Sequence, residues 1–188
     1  IRDKPGTSGS HHASCCRRHR GCRSSSRSPD ASSCTARRSS PTTNSSTPVD
    51  VIGLELGAKT IAAGGDHSCA ILDDNSAWCW GNNTFGQLGD NSSIDSSVPV
   101  LVQGLSSGCS EIAAGDSHSC VILTTGAVKC WGRNDYGQLG DGSTVQRYIP
   151  VSVSGLSAGV TQIEAGYGHT CSILSSGIFE CWGHNFFG

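Results

Sequence analysis

Apolar residues in the second part of the chain come in short runs or at alternate positions, with Gly, Asn, Asp and Pro between the runs. Runs of about four to seven residues bounded in this way are typical of β-strands, and no stretch shows helical spacing. The pairs HSCAIL/AWCWG and HSCVIL/VKCWG flank the short polar segments DDNS and TTGA. Each pair therefore predicts a tight β-hairpin.

The same phrases return at a fixed distance. Pro-Val-x-Val-x-Gly-Leu begins at Pro48, Pro99 and Pro150, which gives a period of 51 residues. Gly-x-x-His-Ser/Thr-Cys and Cys-Trp-Gly-x-Asn recur with that period, but the third copy stops at Gly188 before its Gln-Leu-Gly. The chain also contains no Met, so we expect an open fragment of a longer protein. The predicted units are 48–98, 99–149 and a truncated 150–188.

About four strands in each unit is the size of one β-propeller blade, and such a blade buries its two faces only by stacking against neighbours. We therefore predict an all-β fold, a fragment of a β-propeller with four-stranded antiparallel blades. The Trp that follows each second Cys is the largest apolar residue at its position and should anchor one blade to the next. These residues are Trp80, Trp131 and Trp182. Four glycines are expected to need a left-handed backbone: Gly86, Gly89, Gly137 and Gly140.

Residues 1–47 are rich in Ser and Arg and poor in aliphatic residues, a composition that predicts a disordered tail. Residues 1–50 hold nine Lys/Arg and three Asp/Glu, a net charge of +6, whereas residues 51–188 hold four and twelve, a net charge of −8. The repeats are thus a poor partner for nucleic acid, which only the tail would bind. Three alternatives stay open for the tail: a misread reading frame, a basic nuclear-targeting or RNA-binding segment at Arg17–Arg27, and a zinc site at Cys16, His19 and Cys22.

Six of the cysteines in the repeats form three pairs, each ten residues apart across a predicted hairpin turn. Cross-strand neighbours lie about 4.5 to 5.5 Å apart, within the Cα separation that a disulfide tolerates. We predict three bridges; the alternative is reduced, buried thiols in a cytosolic protein. The predicted pairs are Cys69/Cys79, Cys120/Cys130 and Cys171/Cys181. The equivalents of Cys109 are Ala58 and Val160, which indicates a core position.

The bridges favour an extracellular or secretory-pathway protein, with the cytoplasm or nucleus as the alternative. Asn-x-Ser/Thr sequons at Asn44, Asn82 and Asn91 are compatible with secretion. No apolar run approaches the roughly 18 to 20 residues of a membrane span. We therefore predict no membrane span in this fragment.

One histidine recurs in every unit: His67, His118 and His169. Residues related by propeller symmetry can converge on a central channel, so a metal-binding or catalytic role is the alternative to a structural one. A catalytic residue is seldom repeated in every blade, which favours the structural role. Asp90 and Asp141 follow Gln-Leu-Gly and are predicted to cap turns. The sequence contains no phosphate-binding loop or nucleophile elbow, so we predict no enzyme, catalytic residue, metal or cofactor, and no small-molecule substrate.

The phrases Gly-x-x-His-Ser/Thr-Cys and Cys-Trp-Gly-x-Asn-x-Phe/Tyr-Gly-Gln-Leu-Gly resemble the regulator of chromosome condensation repeat, over about Pro48 to Gly188. The resemblance implies a seven-bladed propeller, which at this period would need about 357 residues. The founding member of that family is a guanine-nucleotide exchange factor that binds chromatin. The plant ultraviolet-B photoreceptor is a similar propeller, but its Gly-Trp-Arg-His-Thr signature is replaced here by GGDHS, GDSHS and GYGHT, which disfavours light sensing.

Two segments differ between units while their frames stay constant: Asn91–Val98 and Ser143–Ile149. Variable loops on a fixed frame are where binding specificity is usually held. We therefore predict a protein-interaction module that uses these segments as interblade loops to bind a partner of unknown identity. The candidate contact residues are Asp95, Ser96, Arg147 and Tyr148. The alternative, implied by the resemblance, is an exchange factor or regulator of a small GTPase.

Overall fold

A computed structural model describes residues 44–54 and 57–186. The chain divides into two units, Ile1–Ala36 and Arg37–Gly188, and the first of these lies wholly outside the described residues. So do most of the predicted tail, its basic segment Arg17–Arg27 and the Cys16/His19/Cys22 arrangement. The described residues all belong to the second unit.

These residues form strands and turns, and none of them belongs to a helix that could cross a membrane. The strands, in chain order, are β1 (Ala58–Ala63), β2 (His67–Leu72), β3 (Ala77–Gly81), β4 (Ser96–Leu101), β5 (Cys109–Ala114), β6 (His118–Leu123), β7 (Val128–Gly132), β8 (Arg147–Ser152), β9 (Val160–Ala165), β10 (His169–Leu174) and β11 (Phe179–Gly183). They build two four-stranded sheets, β1-β2-β3-β4 and β5-β6-β7-β8, and a sheet in which three strands are described, β9-β10-β11. Every pairing is antiparallel between chain neighbours.

The two hairpin turns predicted from the sequence are present between β2 and β3 and between β6 and β7. In the first, Asn75 has a φ of 63°, and Gly126 has a φ of 78° at the equivalent position of the second. The Asp74 carboxylate accepts a hydrogen bond from Ser76 N at 2.9 Å. A turn that needs a left-handed residue is thus supplied with Asn or Gly, the residues that tolerate this conformation.

The boundaries of the sheets do not coincide with the boundaries of the sequence units. Pro99 opens the second sequence unit but lies inside β4, the fourth strand of the first sheet. Pro is tolerated there because β4 is an edge strand, where the missing N–H removes no hydrogen bond to a neighbour. The Pro-Val-x-Val phrase therefore completes the sheet of the preceding unit.

The core lies between the sheets. One apolar cluster joins Leu88 and Val102 of the first sheet and its loops to Trp131 of the second. A second cluster joins Leu139 and Val153 to Ile163 of the third sheet in the same way. The strands β1, β5 and β9 adjoin one another along one side. The predicted stacking of four-stranded antiparallel blades is confirmed.

Candidate functional site

At the contact between the first two sheets, which we call a joint, two side chains donate to one backbone carbonyl and a third bonds to one of these two side chains. His67 Nε2 lies 2.8 Å from Ser119 Oγ, and Ser119 Oγ donates to Gln87 O at 2.9 Å. The indole Nε1 of Trp131 donates to the same carbonyl at 2.8 Å. Because the serine proton is directed at Gln87, the proton between the serine and the imidazole must belong to His67 Nε2.

The joint between the second and third sheets repeats this arrangement one period later. His118 Nε2 lies 3.0 Å from Thr170 Oγ1, which donates to Gln138 O at 3.0 Å. Trp182 Nε1 donates to that carbonyl at 2.9 Å. Two of the predicted Trp anchors and two of the recurrent histidines thus lie between sheets. Trp80 is half-buried and His169 is exposed, because they lie on the outward faces of the first and third sheets.

Burial fixes the protonation of the joint histidines. Removal from water lowers the pKa of His67 and that of His118 to about 4. The Nδ1 atom of each ring is buried and has no hydrogen-bond partner among the described residues, as suits a neutral imidazole with its proton on Nε2. Within the same residues, no three His, Cys, Asp or Glu side chains are grouped so that they could hold a metal ion.

The three predicted disulfides are present, with Cα–Cα distances of 4.0, 4.1 and 4.1 Å. Each bridge joins the second and third strands of its sheet, and the first two are fully buried. Cys69 Sγ lies 3.7 Å from Ser119 Oγ, so the first bridge lies against the joint. Cys109, predicted to be a core residue, is a buried free thiol, and burial raises its pKa to about 11.

The loop between β3 and β4 is organised around one buried amide. Asn83 Nδ2 donates to Asp90 Oδ1 at 3.1 Å and to the backbone oxygens of Ser92 and Ile94, both at 3.2 Å. Its Oδ1 accepts from Leu88 N at 3.0 Å. The β7–β8 loop repeats these bonds around Asn134. Both loops therefore have the same internal scaffold.

The predicted Gly residues all have positive φ: Gly86 (80°), Gly89 (69°), Gly137 (76°) and Gly140 (65°). Two of them also border the tryptophans of the joints. A Cβ on Gly89 would lie 2.7 Å from Trp131 Nε1, and one on Gly140 would lie 2.8 Å from Trp182 Nε1. At these two positions both the backbone and the neighbouring indole require the absence of a side chain.

The predicted partner-binding loops are shorter than the sequence indicated and do not connect blades. Ser96 lies at the start of β4, and Arg147 and Tyr148 lie at the start of β8, so only Asp95 remains in a loop. The loop joins the third and fourth strands of one sheet. Asp95 Oδ1 accepts from Asn83 N at 2.7 Å. The error arose because strand pairing extends β4 and β8 before the Pro-Val phrase, where the sequence shows no alternation.

Arg147 pairs with the Asp141 carboxylate at 2.9 Å, and Tyr148 O accepts from Asn91 N at 3.0 Å. The contact between Arg147 and Asp141 lies within one sheet and its loop. The second joins the β3–β4 loop of the first sheet to the edge strand of the second. The predicted contact residues thus also hold the loops in place.

The β1–β2 turns and β3–β4 loops leave the sheets at one end, together with their equivalents in the next sheets, and we call this the loop end. Here a row of aromatic and cationic side chains crosses all three sheets. Arg133 Cζ lies 4.9 Å from the Phe85 ring and 5.8 Å from the Tyr136 ring, and the rings of Tyr136 and His184 are 4.4 Å apart. The ring of Phe186 stacks on His184 at 6.2 Å. We call these five residues the aromatic row.

Sequence reasoning missed the aromatic row. The signal was the position after each Trp-Gly, occupied by Asn82, Arg133 and His184, together with the Phe or Tyr three residues further on in the first two units. Spacing alone did not show that the residue after Trp-Gly in one unit packs on the aromatic ring of the preceding unit.

Consecutive four-stranded sheets, stacked face to face and joined by the same polar contacts, define a β-propeller built from sequence repeats. The model of the "Regulator of chromosome condensation (RCC1) repeat" matches residues 74–122 and 125–173, and a second model of that repeat matches residues 58–87, 109–138 and 160–188. The chain belongs to the regulator of chromosome condensation repeat family.

Similar proteins include the "Ultraviolet-B receptor UVR8" of Arabidopsis thaliana, 34% identical over 69% of this chain and 30% of that protein. The human "Probable E3 ubiquitin-protein ligase HERC4" is 35% identical over 62% of this chain and 11% of that protein. Among solved structures, Prp20p of Saccharomyces cerevisiae, a protein with binding properties toward Gsp1p and histones, has a TM-score of 0.57 and 25% identity, covering 67% of this chain and 33% of that one. The chain thus spans a third or less of these relatives.

Proposed function

We propose that this propeller is a protein-interaction module that binds its partner at the loop end of the sheets. The observation that carries the proposal is the pair of β3–β4 and β7–β8 loops, which share one scaffold of hydrogen bonds and differ in the side chains they expose. A rigid frame with variable exposed residues suits recognition, because little conformational entropy is lost when a partner binds.

Exposed apolar side chains at the loop end support the proposal. Ile94 is 75% exposed and Val145, its equivalent, is 58% exposed. Tyr136 of the aromatic row is 43% exposed. Aromatic residues and Arg are enriched at the energetic centres of protein interfaces. The net charge of −8 over residues 51–188 disfavours nucleic acid as the partner of the repeats.

The test is site-specific photo-crosslinking in the full chain, with the probe at Tyr136 or at Thr125. Thr125 is exposed in the hairpin turn at the opposite end of the second sheet, so it is the matched control. We expect the Tyr136 probe to capture a discrete protein that the Thr125 probe does not capture, and we expect Ile94→Asp to weaken this capture. Equal capture by both probes would contradict a binding surface at the loop end.

The second candidate function is nucleotide exchange on a small GTPase, which membership of the regulator of chromosome condensation repeat family favours, because the founding member of that family is an exchange factor. The two loops between Gly89 and Pro99 and between Gly140 and Pro150 are equally short, so neither carries an insertion of the kind an exchange factor needs to displace a nucleotide. A nucleotide-release assay with the full-length protein tests this. Acceleration above the spontaneous rate would establish the second candidate in place of a purely binding role.

A further inference from the structure

Asn91 begins an Asn-x-Ser sequon that is accessible in the folded protein. Its side chain is exposed, and no hydrogen bond reaches its side-chain amide within the described part of the chain. The sequon hydroxyl belongs to Ser93, which is exposed as well. Asn91 has a φ of 65°, and Gly142 has a φ of 79° at the equivalent position of the next repeat. This left-handed backbone favours Asn or Gly, and the glycine of the next repeat indicates that the loop needs no side-chain contact here. The Asn91 side-chain amide is therefore free to carry a substituent.

The Asn82 sequon differs in each respect. Asn82 Oδ1 accepts from Gln87 Nε2 at 2.8 Å and from Thr84 N at 3.2 Å. Its middle residue, Asn83, is fully buried and organises the whole loop. A sugar on Asn82 would disturb an amide that already holds the loop, at the point where Gln87 O receives the bonds of the joint. The folded state therefore disfavours a glycan on Asn82.

The disulfides supply an independent reason to place this chain where such sugars are added. Three bridges, one in each sheet, form and persist in oxidising compartments and are rare in the cytosol. N-linked glycosylation takes place in the same secretory compartment. The disulfides and the sequon therefore both indicate synthesis through the secretory pathway.

We propose that Asn91 is N-glycosylated and that Asn82 is not. The substrate class is a lipid-diphosphate-linked oligosaccharide, used by a membrane-bound oligosaccharyltransferase. The Asn91 Nδ2 forms a bond to the anomeric carbon of the oligosaccharide, and the bond from that carbon to the diphosphate oxygen breaks. The lipid diphosphate leaves with the electron pair, and the proton that the amide nitrogen loses passes to the solvent.

The glycan would stand beside the joint between the first two sheets, since Asn91 N donates to Tyr148 O at 3.0 Å. It would also stand close in sequence to Ile94, the most exposed apolar side chain of the loop. A glycan is bulky and hydrophilic, so at this point it would border the proposed binding surface and restrict the partners that can reach Ile94.

The experiment expresses the full chain behind a secretion signal in cultured animal cells. Enzymatic deglycosylation in heavy-oxygen water marks each formerly glycosylated Asn with a mass increase, so sites in one peptide are distinguished. We expect the mark at Asn91 and none at Asn82. Chain retained in the cells is measured in the same way as secreted chain.

Matched variants separate glycosylation from misfolding. Ser93→Ala removes the hydroxyl of the Asn91 sequon and Thr84→Ala that of the Asn82 sequon, and both residues are exposed. Asn91→Gly introduces the residue that the next repeat has at this position. We expect Ser93→Ala and Asn91→Gly to remove the mobility shift that corresponds to this glycan, and Thr84→Ala to keep it. An unmarked Asn91 in the wild-type chain, or a shift lost only in Thr84→Ala, would overturn the proposal.

Discussion

His67 Nε2 lies 2.8 Å from the hydroxyl of Ser119, 52 residues further along the chain and in the next sheet. Ser68, the neighbour of His67, is the equivalent of Ser119 one repeat earlier. Since successive residues of a strand point to opposite faces of the sheet, His67 contacts the sheet that follows, while Ser68 is directed to the other face. The His of the His-Ser/Thr dipeptide thus belongs to the joint with the following sheet, and the Ser or Thr belongs to the joint with the preceding sheet.

The joint histidines make stability depend on pH. Burial lowers the pKa of His67 and His118 from 6.5 to about 4, so between these values the unfolded chain binds protons that the folded chain does not. The contribution of the two histidines to the free energy of unfolding is therefore fully present above pH 6.5. It is lost as the pH falls toward 4, by up to about 3 kcal/mol for each histidine. Urea unfolding at a series of pH values measures this loss.

Carboxylates also titrate in this range, so the matched control is the double variant His67→Gln and His118→Gln. A glutamine amide can donate to the same hydroxyl but does not titrate. We expect the variant to be less stable than the wild type at pH 7 and to lose less stability between pH 6.5 and pH 4. An unchanged slope in the variant would assign the pH dependence to other groups.

The indole bond across the joint should be visible as a stability difference. Trp131→Phe removes the donor to Gln87 O, and we expect a loss of about 1 kcal/mol for the hydrogen bond together with a loss from reduced packing of a fully buried side chain. Trp80→Phe is the matched control, because Trp80 is half-buried and its indole makes no bond to a backbone carbonyl of another sheet in the described region. The free energy of unfolding in urea distinguishes the two, and equal losses would contradict an anchoring role for Trp131.

Two glycines with similar backbone angles allow the cost of backbone strain to be distinguished from the cost of a steric contact. Gly89 has a φ of 69° and Gly104 a φ of 73°, so Ala at either position adopts a left-handed conformation that costs about 1 kcal/mol. Only at Gly89 would the new methyl meet the indole of Trp131, whereas at Gly104 nothing lies within 4 Å. We expect Gly89→Ala to lower the free energy of unfolding by about 1 to 3 kcal/mol more than Gly104→Ala. Similar values for both variants would show that the joint adapts to the methyl group.

The fold was predictable because its signal is repeated and local. Alternating residues, hairpin turns and a fixed period define the strands and their stacking, and the ten-residue spacing across a turn places Cys69 opposite Cys79. The site was less predictable, because it depends on which residues of different repeats meet. Nothing in the sequence around Asn83 shows that its amide organises an entire loop, and nothing around Arg133 shows that its guanidinium packs on Phe85 of the preceding repeat.

The state of the cysteines gives a direct test of the bridged structure. We expect the six paired cysteines of the repeats to resist alkylation in the folded, unreduced chain. Cys109 should react only after unfolding, because it is fully buried and burial raises its pKa to about 11, which keeps the thiol protonated at neutral pH. Mass spectrometry of the alkylated peptides reports each cysteine separately, so the tail cysteines do not interfere.

The matched variant is the double substitution Cys120→Ala and Cys130→Ala, which removes one buried bridge and adds no free thiol. The bridge closes a short loop, so we expect its removal to lower the free energy of unfolding by about 2 to 3 kcal/mol. Rapid alkylation of Cys120 and Cys130 in the untreated wild type would instead mean reduced thiols. It would also place the protein in a reducing compartment and remove the support that the bridges give to glycosylation of Asn91.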